Sequence, residues 1–280
     1  MCRLYAKFSK IPSSPQSDLV RARFSLLKQG DADPKNLQTD GWGMASLDGH
    51  GWRTVKSKGA CFREKTKFRK AAVRITSRAV LAHIRRASNP RGLPRSRVIG
   101  LANCQPFTYK NLAFVHNGTL NIPDEVARNL GPYRRLIKGK NDSEVLFALF
   151  VKHQRNGVRG WRRVFRAMAK EIEQIWRKIP PAERQHASPF RGLNIIASDG
   201  RTLAAHCLYG KTKGRSLCGQ GRPYFEMCYN VSLDGITVAS EPLDDKRAWK
   251  RLKNGEIKIW PMNSHSTSFQ KWTSRKWRTP

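Results

Sequence analysis

The sequence predicts an α+β fold, strands early, helices in the middle and an antiparallel layer of strands late, because its apolar patterning comes in blocks. Strand-length apolar runs fill the first 115 residues, two segments with apolar spacing of three and four follow between 141 and 178, and strand-length runs return from 193. With 280 residues, 39% of them hydrophobic, the chain can bury a substantial core.

In order, residues 3–8 read as a strand closed by the turn-rich Ile11-Pro12-Ser13-Ser14-Pro15. Residues 17–27 have the spacing of a short amphipathic helix, with Leu19, Val20, Phe24 and Leu27 on one side. Asp40-Gly41-Trp42-Gly43 is a turn leading into a strand, and residues 53–78 read as a basic loop with a short helix. Residues 79–84 are a buried strand that delivers Arg85 and Arg86 at its end. A second strand, 112–115, runs into His116-Asn117-Gly118. Asn141-Asp142-Ser143-Glu144 opens a helix, and residues 158–178 form another whose apolar stripe reads as core packing. Strands at 193–197, 202–208, 224–231 and 236–239 read as an antiparallel second layer, and a short strand follows near 256–260. Residues 262–280 lack periodicity and read as a basic, disordered tail after a domain spanning 1–261.

Composition bounds the function. The 54 Lys and Arg against 20 Asp and Glu give a formal charge of +34, which attracts polyanions without naming one. No apolar run reaches the ~18 residues of a membrane span, and the first ten residues lack the apolar stretch of a secretory signal, so neither is expected. The six cysteines include no Cys-x-x-Cys pair, so no metal site, cofactor or disulfide framework is expected, and the location expected is cytoplasmic.

Cys2 becomes the first residue if Met1 is removed, placing a thiol nucleophile and an amine of reference pKa about 8 on one residue. It also fits simply as part of an apolar first strand. Arg85 and Arg86 either cap a strand or receive a carboxylate through the guanidinium fork. Asn117 and Gly118 either form a tight hairpin or offer a side-chain amide and a main-chain N–H to one oxyanion. Asp142 either caps its helix or receives an ammonium.

Met1-Cys2-Arg3-Leu4, Asp40-Gly41-Trp42-Gly43, Ala82-His83-Ile84-Arg85-Arg86-Ala87-Ser88, Asn103-Cys104-Gln105-Pro106-Phe107, His116-Asn117-Gly118 and Asn141-Asp142-Ser143-Glu144 together resemble the class II glutamine amidotransferases. The likeness extends through Ser198-Asp199-Gly200 and Ser240-Glu241-Pro242-Leu243 and is greatest to the small stand-alone bacterial members. It implies a four-layer αββα N-terminal nucleophile hydrolase sandwich of two antiparallel sheets. It also implies roles: Cys2 as nucleophile with its own α-amine as base, Asn117 and Gly118 as oxyanion hole, Arg85 on the substrate α-carboxylate and Asp142 on its α-ammonium. The expected substrate is glutamine or a γ-glutamyl amide, opened through a Cys2 thioester.

Three departures stand out. Gln105 sits where relatives often carry histidine, Arg86 adds a cation where the larger synthases have an aromatic, and no synthase domain follows. A partner synthase using the ammonia, or plain hydrolysis, is therefore expected. The chain also resembles ergothioneine-pathway enzymes that remove glutamate from a γ-glutamyl conjugate. The reading from a different class is a catalytically silent relative whose basic surface binds nucleic acid.

Overall fold

The computed structural model describes residues 2–210 and 223–262. Two antiparallel sheets face each other. The first holds seven strands in the order β11-β9-β10-β1-β4-β2-β3: β1 (Arg3–Ser13), β2 (Trp42–Asp48), β3 (Gly51–Ser57), β4 (Ser77–Ile84), β9 (Met227–Ser232), β10 (Gly235–Ala239) and β11 (Lys250–Leu252). The second holds five in the order β12-β8-β7-β6-β5: β5 (Phe107–Tyr109), β6 (Leu112–Leu120), β7 (Phe190–Ser198), β8 (Thr202–His206) and β12 (Ile257–Pro261). Helices are α1 (Lys65–Val73), α2 (Arg95–Val98), α3 (Pro123–Arg128), α4 (Asp142–Arg155) and α5 (Trp161–Lys178).

Strand alternation sorts the core into three layers. Leu4, Ala6 and Phe8 of β1 meet Val115 and Ile196 of the other sheet in the middle layer. Tyr5, Trp42 and Ala82 point the other way, under Phe68 of α1, with Trp42 edge-on to Phe68 at 5.1 Å. Phe114, Leu193 and Ile195 pack beneath α4 and α5. Helix, sheet, sheet, helix is thus the layer order, the αββα sandwich of the sequence reading.

Several expectations are corrected. The late strands do not form one layer: β9 and β10 join β1 in the first sheet, whereas β7 and β8 extend the second sheet from β6. Residues 17–27 make a single π-type turn, Ser17–Arg21, and no longer helix. Asp18 is drawn inward by the Tyr5 hydroxyl at 2.9 Å and Arg247 at 2.9 Å, and the backbone turns extended at Ala22. Within 53–78 lies β3, an edge strand whose exposed Arg53, Thr54 and Val55 hide the alternation that marks a strand. The first strand continues past Phe8 to Ser13 through a register shift. The later helix starts at Trp161 and not 158, because Gly160 at φ +89° lies outside helical backbone. Asn117-Gly118 is no hairpin: β6 runs straight through it, paired with β7 from Ala113 to Leu120. The expected tail, 262–280, lies outside the described residues except for Met262.

Candidate active site

The start of β1 is fixed from its outer side. Leu4 exchanges hydrogen bonds with Ser240, donating to its Oγ at 2.9 Å and accepting from its N–H at 3.0 Å. Arg3 is fully buried, lies 3.2 Å from Glu241 and stacks its guanidinium 3.9 Å from the Tyr224 ring. Breaking one side of such a buried pair typically costs about 3–5 kcal/mol, so this anchor holds the chain end in place. Alternation then puts Cys2 on the face of Leu4 and Ala6, toward the second sheet. Its thiol donates to the Arg86 carbonyl at 3.4 Å. Burial pushes the Cys2 thiol up, while the positive chain terminus and Arg85 oppose that rise.

Arg85 follows β4 and is 2% exposed. One guanidinium nitrogen, Nη1, donates to the carbonyls of Val98 at 2.9 Å and Asp40 at 3.3 Å. Its main chain is tied to the Asp40-Gly41 turn, with Asp40 N–H donating to Arg85 O at 2.9 Å and Arg85 N–H to Gly41 O at 2.8 Å. Asp40 closes the arrangement by accepting from the Ala87 N–H at 2.7 Å and pairing with Arg95 at 2.5 Å. Two segments 45 residues apart thus form one rigid cradle. Arg86, in contrast, is exposed and turned to the Asn36 side chain.

Asp142 is the first residue of α4, and the cap is its neighbour Asn141, whose Oδ1 accepts the Ser143 N–H at 2.9 Å. Freed from capping, the buried Asp142 carboxylate accepts from Ser88 Oγ at 2.7 Å and Leu120 N–H at 2.8 Å. It therefore joins the segment after β4 to the end of β6. The Cys2 thiol feels both Arg85 and Asp142 electrostatically.

The geometry of β6 is the informative part. β5 pairs only with Leu112–Phe114, so beyond that point one edge of β6 has no strand beside it. On this edge Gln105 grips His116, and Leu120 N–H meets Asp142. Between them, alternation turns the Gly118 N–H to the same edge. Its register partner Leu193 donates instead to Leu208 O, on the far side. Glycine is required here, since a Cβ would stand 1.9 Å from Gly192 O and 2.7 Å from His116 Nε2.

Asn117 faces the layer between the sheets, like Val115, and is 1% exposed. Both amide atoms, Nδ2 and Oδ1, are buried with no hydrogen-bond partner among the described residues. An unsatisfied buried amide costs about 1–3 kcal/mol, so its retention calls for a ligand. His83, on the inter-sheet face of β4, is likewise buried, with its ring against the His116 backbone. Burial and the Arg85 charge hold its pKa well below the usual histidine range. Among the described residues no three His, Cys, Asp or Glu side chains group as a metal site.

All five residues singled out from the sequence are placed on elements that frame this inter-sheet end. Sequence reasoning assigned no role to Gln105, Ser88, Asp40 or Glu241, although each lay inside a recognised segment. Their signal was position within those segments; their function as braces depends on partners 11 to 238 residues away.

A family model described as glutamine amidotransferases class-II matches residues 1–218. The chain belongs to the class II glutamine amidotransferases. Within this class it is 29% identical over 214 residues to a protein of Saccharomyces cerevisiae named as a probable glutamine amidotransferase, a match covering 66% of this chain but 58% of the yeast protein. It is 27% identical over 213 residues to the γ-glutamyl-hercynylcysteine sulfoxide hydrolase of Mycobacterium tuberculosis, covering 76% and 71% of the two chains. A solved glutamine aminotransferase class-II domain protein from Silicibacter pomeroyi superimposes with a TM-score of 0.61 at 20% identity, over 92% of this chain and 94% of that one. That likeness fixes the shared amidotransferase fold. No helix among the described residues is long and apolar enough to cross a membrane.

Proposed function

We propose that this class II amidotransferase opens the side-chain amide of glutamine, or of a γ-glutamyl amide, through a thioester on Cys2. The observation that carries the reading is the pair of donors on β6: a buried Asn117 amide with no protein partner and a Gly118 N–H turned to an unpaired strand edge. Removal of Met1 frees the Cys2 α-amine, which takes the thiol proton. The thiolate adds to the amide carbon, and the resulting oxyanion is held by Asn117 Nδ2 and Gly118 N–H. Collapse breaks the C–N bond, and the ammonium of Cys2 returns its proton to the leaving amine. Water, deprotonated by the same amine, then cleaves the thioester to release the acid. Arg85 holds the α-carboxylate with the part of its fork not used by Asp40 and Val98, and Asp142 receives the α-ammonium.

A γ-glutamyl conjugate as natural substrate is favoured by the similarity to the mycobacterial sulfoxide hydrolase. With glutamine as substrate, a partner subunit that consumes the released ammonia is compatible with the chemistry, as is hydrolysis alone; a γ-glutamyl conjugate would release its own amine instead. The test is intact mass before and after 6-diazo-5-oxo-norleucine, with Cys2→Ala as control. Loss of Met1 and one adduct, absent from the control, supports the reading; retained Met1 overturns it, and a processed protein that takes no label excludes glutamine and moves a γ-glutamyl conjugate specialist or the nucleic-acid reading ahead. Steady-state turnover of glutamine against γ-glutamyl amides of larger amines then separates the two substrates.

A further inference from the structure

A cavity of about 510 Å³ opens on the outer side of the segment that runs from Asn103 into β5. Its walls come from four separate parts of the chain: Lys56 of β3, Phe107 of β5, Arg135 and Lys138 before α4, and Glu144 and Phe147 of α4. Successive helical residues are turned by about 100°, so Asp142 and Glu144 in the first turn of α4 face roughly opposite ways. Asp142 meets Ser88 and Leu120, whereas Glu144 accepts the Gly139 N–H at 2.6 Å and lines the cavity. None of the five candidate site residues lines the cavity, although the Lys56 charge reaches His83 and Cys104 beside them.

Its chemistry is uneven. Three cations line it against one carboxylate, an excess of two positive charges when Glu144 is ionised. Lys56 is half-buried, with its ammonium 5.4 Å above the Phe107 ring and Glu144 acting on it electrostatically from the same cavity wall. One carboxylate among three cations compensates only part of the water that Lys56 has lost, and an anionic ligand would supply the rest. Burial lowers the Lys56 pKa and raises that of Glu144. Apolar side chains lie beside the charges: Phe107 and Phe147, 5% and 3% exposed, stack at 5.8 Å and reach the cavity at its floor, and the half-buried Tyr109 continues that wall.

We propose that this cavity binds a small organic phosphate bearing a planar ring, with the phosphate at Lys56, Arg135 and Lys138 and the ring against the Phe107, Tyr109 and Phe147 wall. A phosphate monoester is close to a dianion at neutral pH, matching the excess of two. The volume admits one such molecule and leaves the Cys2 side untouched.

Adenosine 5′-monophosphate is the probe, titrated calorimetrically into the full chain alongside adenosine, ribose 5-phosphate and inorganic phosphate. Saturable one-to-one binding of the nucleotide is expected, at least tenfold tighter than any of the three fragments. Lys56→Met should weaken it tenfold or more, and so should the surface double variant Arg135→Ala/Lys138→Ala, which disturbs no buried contact. Lys250→Ala, on β11 at the opposite edge of the same sheet, should leave it unchanged. Cys2→Ala should bind the nucleotide like the parent, so loss of amidase activity and loss of this site are told apart. The proposal is overturned if the nucleotide does not bind, if ribose 5-phosphate or inorganic phosphate binds as tightly, or if Lys250→Ala weakens binding as much as Lys56→Met, which is the pattern of diffuse surface charge.

Discussion

Gln105 holds His116 by both of its backbone groups: its Oε1 accepts the His116 N–H at 2.6 Å, and its Nε2 donates to the His116 carbonyl at 3.1 Å. A side chain thus stands in for a strand along the open edge of β6, two residues before the glycine assigned to the oxyanion. The first prediction follows from it. Gln105→Ala leaves two buried backbone groups without partners, at about 1–3 kcal/mol each. Thermal unfolding should shift down by several degrees, and kcat for glutamine should fall while KM changes little.

Asn117→Ala removes one of the two proposed oxyanion donors. A donor of this kind is worth about 3 kcal/mol in the barrier, so kcat should drop on the order of 10²- to 10³-fold with KM within a few-fold of the parent. Steady-state kinetics with glutamine decides it. Equal loss in KM and none in kcat would reassign Asn117 to ground-state binding.

Arg85→Lys keeps the charge but not the fork. A lysine ammonium cannot satisfy Asp40 O and Val98 O and also hold a carboxylate by two parallel bonds. KM for glutamine should rise at least tenfold. With 4-aminobutanamide, which lacks the α-carboxylate, parent and variant should perform alike; a persistent difference would mean that Arg85 acts on something other than that carboxylate.

Acid stability should be limited by buried histidines. Burial, aided by Arg166, lowers the His206 pKa to about 4, and burial also lowers His116. An unfolded histidine titrates near 6.5. Between pH 6.5 and 4 the unfolded chain therefore binds protons that the folded chain refuses, and stability falls as pH falls, by up to about 1.4 kcal/mol per pH unit for each such group. Above pH 6.5 these groups contribute no slope. His206 packs against Phe165 with ring centroids 5.4 Å apart, so His206→Phe keeps an aromatic there. Denaturant unfolding between pH 4 and 7 should show a shallower acid limb for the variant, and an unchanged limb would clear His206 of the effect.

What could be read from the chain was what local pattern encodes. Cys2, Arg85 and Asp142 sit at the tips of elements whose apolar pattern is strong; the end of β4 at Ile84 and the start of α4 at Asp142 were legible, whereas β4 begins two residues earlier, at Ser77, than its apolar run. Asn117-Gly118 read equally well as a hairpin, because dipeptide chemistry is local whereas the pairing of β6 with β7 spans some 76 residues. The helix expected over 17–27 failed for a related reason: its spacing was right, but Tyr5 and Arg247 draw Asp18 inward. Strand β3 escaped because an edge strand exposed on both faces carries no alternation. The Lys56 cavity was illegible altogether, since its walls come from four segments that share no motif.

The unpartnered Asn117 amide carries one more implication. A group kept dry and unbonded is a local debit in the resting protein, so a shape-matched apolar residue there should make the fold hardier as it silences the chemistry. Asn117→Leu is then expected to melt above the parent. On the proposed chemistry, selection for heat tolerance alone would erode the activity at Asn117, and any stabilised derivative should be screened for turnover before its melting point is counted as a gain.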